Sequence, residues 1–365
     1  MRRGTTASTL GQMAVERPLT VVGSAVWFAL VLTASGCSDS GAPEVTAAIS
    51  EATLLEHLSF LADDSLYGRG AGSPQELQAA EYLRDEFVAY GLEQGVPGYL
   101  QAFALSSFQF GTRATSSEGG NDNGAAASVQ EDTLWSHNVI GRLTGRGRLA
   151  GQWVILGAHY DHLGWDWVAD DSVIIYNGAD DNASGTSLLL EIARYLSDYL
   201  TFGAGGAIDH RSVMFHAYGA EERGLLGSYY YASNPTVPAD SIVAMINLDM
   251  VGRLRNRTLM IGGAHTAEVW DLLLTEANGD GLVLDYFDGS LGRSDHYPFY
   301  LLGKPVLFFH TGLHAEYHQP EDDVWLINLD GMVEVGSLAL TVLLDVATSK
   351  EPPVFAGYIA SDIVH

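Results

Sequence analysis

Acids and histidines concentrate in five short stretches of this chain, each just downstream of an apolar run. His159 and Asp161 close WVILGAHYDHLG, and Asp180 and Asp181 stand in the glycine-framed NGADDNASG. Glu221 and Glu222 follow in HAYGAEERGLLGS, Asp249 in INLDMVG, and His318 in HAEYHQPEDD. Two imidazoles and several carboxylates, with no cysteine among them, form a hard-to-borderline ligand set that suits zinc better than manganese or cobalt. Carboxylates crowded this closely repel one another unless cations neutralise them. Two metal ions about 3.5–4 Å apart, bridged by one carboxylate, meet that demand and activate a water for hydrolysis. Within Glu221-Glu222, one carboxylate can ligate while its neighbour stays off the metal and takes the water's proton.

The elements that must position these groups are legible from periodicity. Leu54, Leu58 and Leu61 recur at helical spacing. Ser73-Pro74-Gln75-Glu76 reads as a capping box with proline at the first helical position, and Gly91 ends that helix. Tyr99–Leu105 and His137–Leu143 read as strands. Next come strands at Trp153–Ala158, Ser212–Ala217 and Ile242–Leu248, with a helix over Ala183–Leu200. Thr258–Ile261, Leu282–Tyr286 and Pro305–Phe309 are further strands; Thr266–Ala277 and Asp330–Thr348 are helices. Alternating strands and helices predict an α/β fold, a three-layer sandwich with a mainly parallel central sheet flanked by helices. In such sheets functional groups gather beyond the carboxyl ends of the strands, so the acidic stretches converge on one edge.

The series HYDH, GADDNASG, GAEERGLLGS, NLDMVG and YHQPEDD resembles the M28 family of zinc aminopeptidases, from about His57 to about Val346. The resemblance implies a zinc-peptidase fold and two zinc ions per chain. His159, Asp249 and a bridging Asp181 would hold one ion; Glu222, His318 and the same bridge would hold the other. It further implies Glu221 as general base, Asp161 orienting His159, and Tyr317 stabilising the oxyanion. The substrates would be peptides or proteins with a free amino terminus, attracted by the acidic rim. Two alternatives stay open: a glutaminyl-cyclase-like acyltransferase with one zinc on a related scaffold, and a non-catalytic binding relative. A carboxypeptidase of the same family is a further possibility.

Other chemistry-bearing residues receive plainer readings. Asp180 is a structural turn acid, and His162 has a supporting or rim role. His210, His216, His265, His310 and His314 are read as structural. Ser294-Asp295-His296 is no catalytic triad, because three adjacent residues do not make that geometry; it lines the site, with Ser294 a contact for substrate. Gly262-Gly263 lacks the phosphate-loop pattern. Tyr286–Leu291 and Leu313–Tyr317 are expected to shape the pocket for the substrate's first residue.

The chain has 365 residues, 47% apolar, with 18 basic against 45 acidic side chains and a formal net charge of −27. That imbalance argues against nucleic-acid binding, since no basic run offsets phosphate repulsion. Residues 1–37 read as a secretory signal. Arg2, Arg3 and Arg17 precede an uncharged stretch, Pro18–Gly36, which ends in Ala34-Ser35-Gly36 before the single Cys37. This end resembles a bacterial lipobox, so the protein is expected to be exported to the periplasm or cell envelope and lipid-anchored through Cys37. The alternative is an uncleaved anchor, because the run approaches the roughly 20 residues that span a bilayer. Membrane contact is expected only through this end. Without residues 1–37 the chain keeps 15 positive and 44 negative side chains. Residues 38–50 read as a tether, 51–350 as one peptidase domain containing a loose loop at 112–130, and 351–365 as a tail.

Overall fold

The computed structural model describes residues 49–105, 133–168, 172–201, 203–279, 281–287 and 291–357. The targeting segment 1–37 with Cys37, the 112–130 stretch and the last eight residues lie outside them.

Two capped helices open the fold. The Ser50 hydroxyl accepts from Thr53 N at the start of α1 (Glu51–Leu61), and Ser73 Oγ accepts from Glu76 N at 3.0 Å to start α2 (Pro74–Ala89). The second arm of the capping box is redirected. The Glu76 carboxylate accepts from Gly72 N and from the Ser136 hydroxyl on a neighbouring strand, so a local cap becomes a tertiary tie.

The chain then runs through β1 (Glu93–Gln94), β2 (Leu100–Ala104), β3 (Trp135–Leu143), β4 (Trp153–His159), β5 (Gly164–Trp167), β6 (Val173–Tyr176) and α3 (Gly185–Thr201). It continues through β7 (Ser212–Tyr218), α4 (Leu226–Ser233), β8 (Ile242–Leu248), β9 (Thr258–Gly262), α5 (Val269–Asn278), β10 (Val283–Phe287), α6 (Tyr297–Leu301), β11 (Val306–His310) and α7 (Leu329–Thr348). Among the described residues nine strands form one sheet in the order β1-β3-β7-β4-β8-β11-β9-β10, with β2 also on β3. β7, β4, β8 and β11 are mutually parallel, as expected. The flanks depart from the mainly parallel expectation: β3 runs antiparallel to β7, and β9 runs antiparallel to β11. Hydrophobic patterning reports which residues are buried, not which way a strand runs, so these reversals leave no mark in the sequence.

Alternation along each strand feeds two cores. Val154, Leu156, Val213, Phe215 and Ile246 face α1, α2, α3, α5 and α7. Ile155, Met214 and Met245 face the other way, onto Tyr231 of α4 and Phe299 of α6. The result is three layers. Helix α7 is long and apolar enough to cross a bilayer, but most of it is buried within this core. The hairpin β5–β6 and the short helices α4 and α6 carry no strong periodicity and were not legible in the sequence.

Candidate metal centre

The acidic stretches converge beyond the carboxyl ends of β4, β7, β8 and β11. His159 is the last residue of β4. Its Nδ1 donates to the Asp161 main-chain carbonyl (3.2 Å), which turns Nε2 inward to 3.3 Å from Asp181 Oδ1 and 3.5 Å from Asp249 Oδ1. Across the site, His318 Nε2 lies 3.0 Å from Asp181 Oδ2 and 3.3 Å from Glu222 Oε2. The two oxygens of Asp181 therefore face two different imidazoles. His159, Glu221 and Asp249 offer ligand atoms within 4.8 Å of one another, as do His162, Asp181 and Glu222.

Each ligand loop is held by buried polar contacts. After β7 the backbone turns through Ala220 at φ 54°, and the Asp161 carboxylate accepts from Glu221 N (2.9 Å) and Glu222 N (3.3 Å). The Asp161 carboxylate is thus committed to the Glu221-Glu222 loop. It sits 3.8 Å from His159 Nδ1, and the main-chain carbonyl, not this carboxylate, makes the contact that orients the ring. Asp322 plays the matching part for the second acid pair, accepting from Asp180 N and Asp181 N at 3.0 Å. The Asn182 side chain ties the same turn to Leu248 and Met250, and the Asp181–Asn182 peptide is cis. Asp180 faces away from Asp181's partners. Its Oδ1 accepts from Gly252 N, and its Oδ2 lies 3.1 Å from His314 Nε2.

Several residues differ from their sequence reading. Ser294 is fully buried and donates to Asp249 Oδ2 (2.7 Å) while accepting from Asn247 Nδ2, so it supports a carboxylate and does not meet substrate. His314 ties the His318 loop to Asp180 and Glu316, in keeping with its structural reading. His310 Nδ1 lies 2.9 Å from the Asp249 carbonyl oxygen. His216 is enclosed by Tyr218 and Tyr231, as its structural reading requires. Two further residues, Arg69 and Asp322, support the centre without a sequence motif that marks them. Arg69 is buried and donates to the carbonyls of Leu61, Tyr160, Asn177 and Gly178, placing a cation beneath the acids. A lone arginine amid glycines, in SLYGRGAG, was the available signal.

The electrostatics tests whether metal suits this donor set. Burial opposes charge on His159, yet Glu221 and Asp249 overcome it and raise its pKa well above the usual value. Burial likewise opposes charge on His318, and Asp181 and Glu222 push its pKa up to about 10. Burial also holds the Glu221 carboxyl well above the usual range, aided by Asp295 and Asp249. The acids thus draw protons onto both imidazoles, a demand for positive charge that divalent cations meet better. Carboxylate oxygens and imidazole nitrogens converging without a thiolate fit zinc.

Beside these groups opens a cavity of about 390 Å³. Met250, Met260, Phe287, Phe308 and Leu313 line its apolar side. Arg293 and His310 join them, and Tyr317 stacks on His318 at 3.8 Å between ring centroids. Phe287, at the end of β10, and Leu313 and Tyr317 come from the two stretches expected to shape the pocket.

A family-wide sequence profile, described as Peptidase family M28, matches residues 138–343. The chain belongs to peptidase family M28. That match spans every residue of the centre from His159 to His318. The chain is 30% identical over 235 residues to aminopeptidase YwaD of Bacillus subtilis strain 168, covering 60% of this chain and 46% of that protein. It is 31% identical over 180 residues to leucine aminopeptidase 1 of Penicillium rubens, covering 49% and 41%. It therefore spans less than half the length of these curated relatives. Among solved structures it is similar to an aminopeptidase from Aneurinibacillus sp. strain AM-1, with a TM-score of 0.63 and 21% identity over 86% of this chain and 98% of that one. It is also similar to BSAP, a zinc aminopeptidase from Bacillus subtilis, with a TM-score of 0.62 and 18% identity over 85% and 98%. At such identities the likeness is one of fold.

Proposed function

We propose that this chain is a zinc-dependent aminopeptidase that hydrolyses the amino-terminal peptide bond of peptides or proteins, using two zinc ions. One observation carries the reading: the Asp181 carboxylate lies between His159 and His318, with Asp249 and Glu222 completing either side. His159, Asp249 and Asp181 would hold one ion; Glu222, His318 and Asp181 the other. When bound, the ions supply Lewis acidity, lowering the pKa of a water and polarising the scissile carbonyl.

The protein's own groups do the rest. The Glu221 carboxylate, which burial makes proton-seeking, takes the water's proton and returns it to the departing amine nitrogen. The Tyr317 hydroxyl beside His318 donates to the carbonyl oxygen as negative charge develops there. The substrate's ammonium meets the acidic rim, and its first side chain enters the cavity between Met260, Phe287, Phe308 and Leu313, which favours large apolar residues. The names of the M28 relatives support this reading. The segment 1–37 ending at Cys37 supports an exported protein tethered to the cell envelope.

The test pairs aminoacyl p-nitroanilides with their N-acetylated forms. Turnover on free-amine leucyl or methionyl substrates and none on the blocked forms is expected. Equal rates on both would reject amino-terminal cleavage.

A further inference from the structure

His162 is a buried imidazole at the edge of the centre that the proposed reaction does not use. It stands one residue after Asp161 and is 1% exposed. Its Nδ1 lies 2.9 Å from Glu222 Oε1 and 3.9 Å from Asp181 Oδ2. An ionised carboxylate only accepts, so Nδ1 carries the proton and donates to Glu222. Nε2 is buried and has no hydrogen-bond partner among the described residues, so the contact with Glu222 is the ring's one strong polar bond.

The ring's direction is fixed from several sides. His162 N donates to the Arg69 carbonyl, and the ring stands edge-on to His318 at 5.6 Å. Gly178, at φ 56°, supplies the remaining space: a Cβ there would fall 2.5 Å from His162 Cγ and Cδ2. The ring is packed into one orientation, aimed at one oxygen of one carboxylate. Engaging Glu222 Oε1 leaves Oε2 facing His318 at 3.3 Å. Among the described residues Asp181 receives no comparably short side-chain donor other than the two imidazoles proposed as ligands, and both of its oxygens remain available to bridge.

We infer that His162 is a positioning residue for the second ion. By occupying Glu222 Oε1 it enforces attachment through Oε2 alone and sets the affinity of the site formed by Glu222, His318 and Asp181. The inference rests on the two-ion reading above. Outer partners of this kind typically change metal affinity by about 10- to 100-fold.

The test titrates zinc into metal-stripped protein against a chromophoric chelator, with no activity measurement. Wild type should bind two ions. His162→Ala should weaken one of them about 10- to 100-fold and leave the other unchanged, and His162→Asn, which keeps an N–H donor near the Nδ1 position, should recover most of the loss. If alanine unfolds the chain, His162→Phe, a ring without a donor, takes its place. Unchanged affinities in the donor-free variant would overturn the role while leaving the two-ion reading intact. Loss in His162→Asn equal to that in the donor-free variant would replace positioning with direct ligation by His162. Fewer than two ions in wild type would overturn both the inference and the reading beneath it.

Discussion

Glu221 and Glu222 are adjacent and chemically identical, yet the fold gives them opposite characters. Burial works against charge on both. Hydrogen bonds from His162 and His318 outweigh it at Glu222 and pull that pKa down, while Glu221 faces Asp295 and Asp249 and stays high. In the proposed mechanism one is a ligand and the other a proton carrier, and their neighbours set that difference. Glu221→Gln should therefore lower kcat by about 100- to 10,000-fold, the range for loss of a general base, with zinc content measured by metal analysis unchanged. Full activity in that variant would remove Glu221 from the reaction. The same logic applies to Ser294 and Asp161. Both are chemistry-bearing residues near the site, and both are spent on holding other groups in place.

At the scale of elements, a strand end and the loops after the strands carry the candidate ligands. Met250 and His318 both sit at positive φ, conformations that follow from how each loop leaves its strand and not from residue preference. Behind the sheet, His57 of α1 joins the Tyr82 and Tyr90 hydroxyls of the α2 region at 2.6 and 3.0 Å. Burial, with Arg194 nearby, lowers its pKa from 6.5 to about 4. The folded state thus holds the neutral ring. That stability is complete above pH 6.5 and is lost as pH falls toward 4, by up to about 3 kcal/mol. Urea unfolding midpoints of wild type should fall more steeply between pH 7 and 4.5 than those of His57→Gln; parallel slopes would exclude this residue as a source of acid sensitivity.

For the whole molecule, the gathered carboxylates are a liability that bound cations would relieve. Arg69 offsets part of that charge from below, and protons on the two imidazoles offset more. Each ion present at 100 times its dissociation constant adds about 2.7 kcal/mol to the folded state. Chelation should lower the melting temperature by several degrees, and added zinc should restore it. A melting curve indifferent to chelator would mean that the acids are satisfied without metal. Helix α7 shows the complementary lesson in the core: a run apolar enough for a membrane is here the seam between the other helices and the sheet.

The sequence by itself determined the candidate ligand set that the fold brings together, because metal-binding chemistry needs particular side chains and their order along the chain survives folding. It also determined the alternation of strands and helices, since burial imposes a period on hydrophobic residues. Strand direction at the sheet's edges was decided only in three dimensions. So were the partners of Asp161, Ser294, His162 and Asp322. A hydrogen bond between residues 60 or 140 positions apart obeys no periodicity, and a buried donor looks the same in sequence as an exposed one.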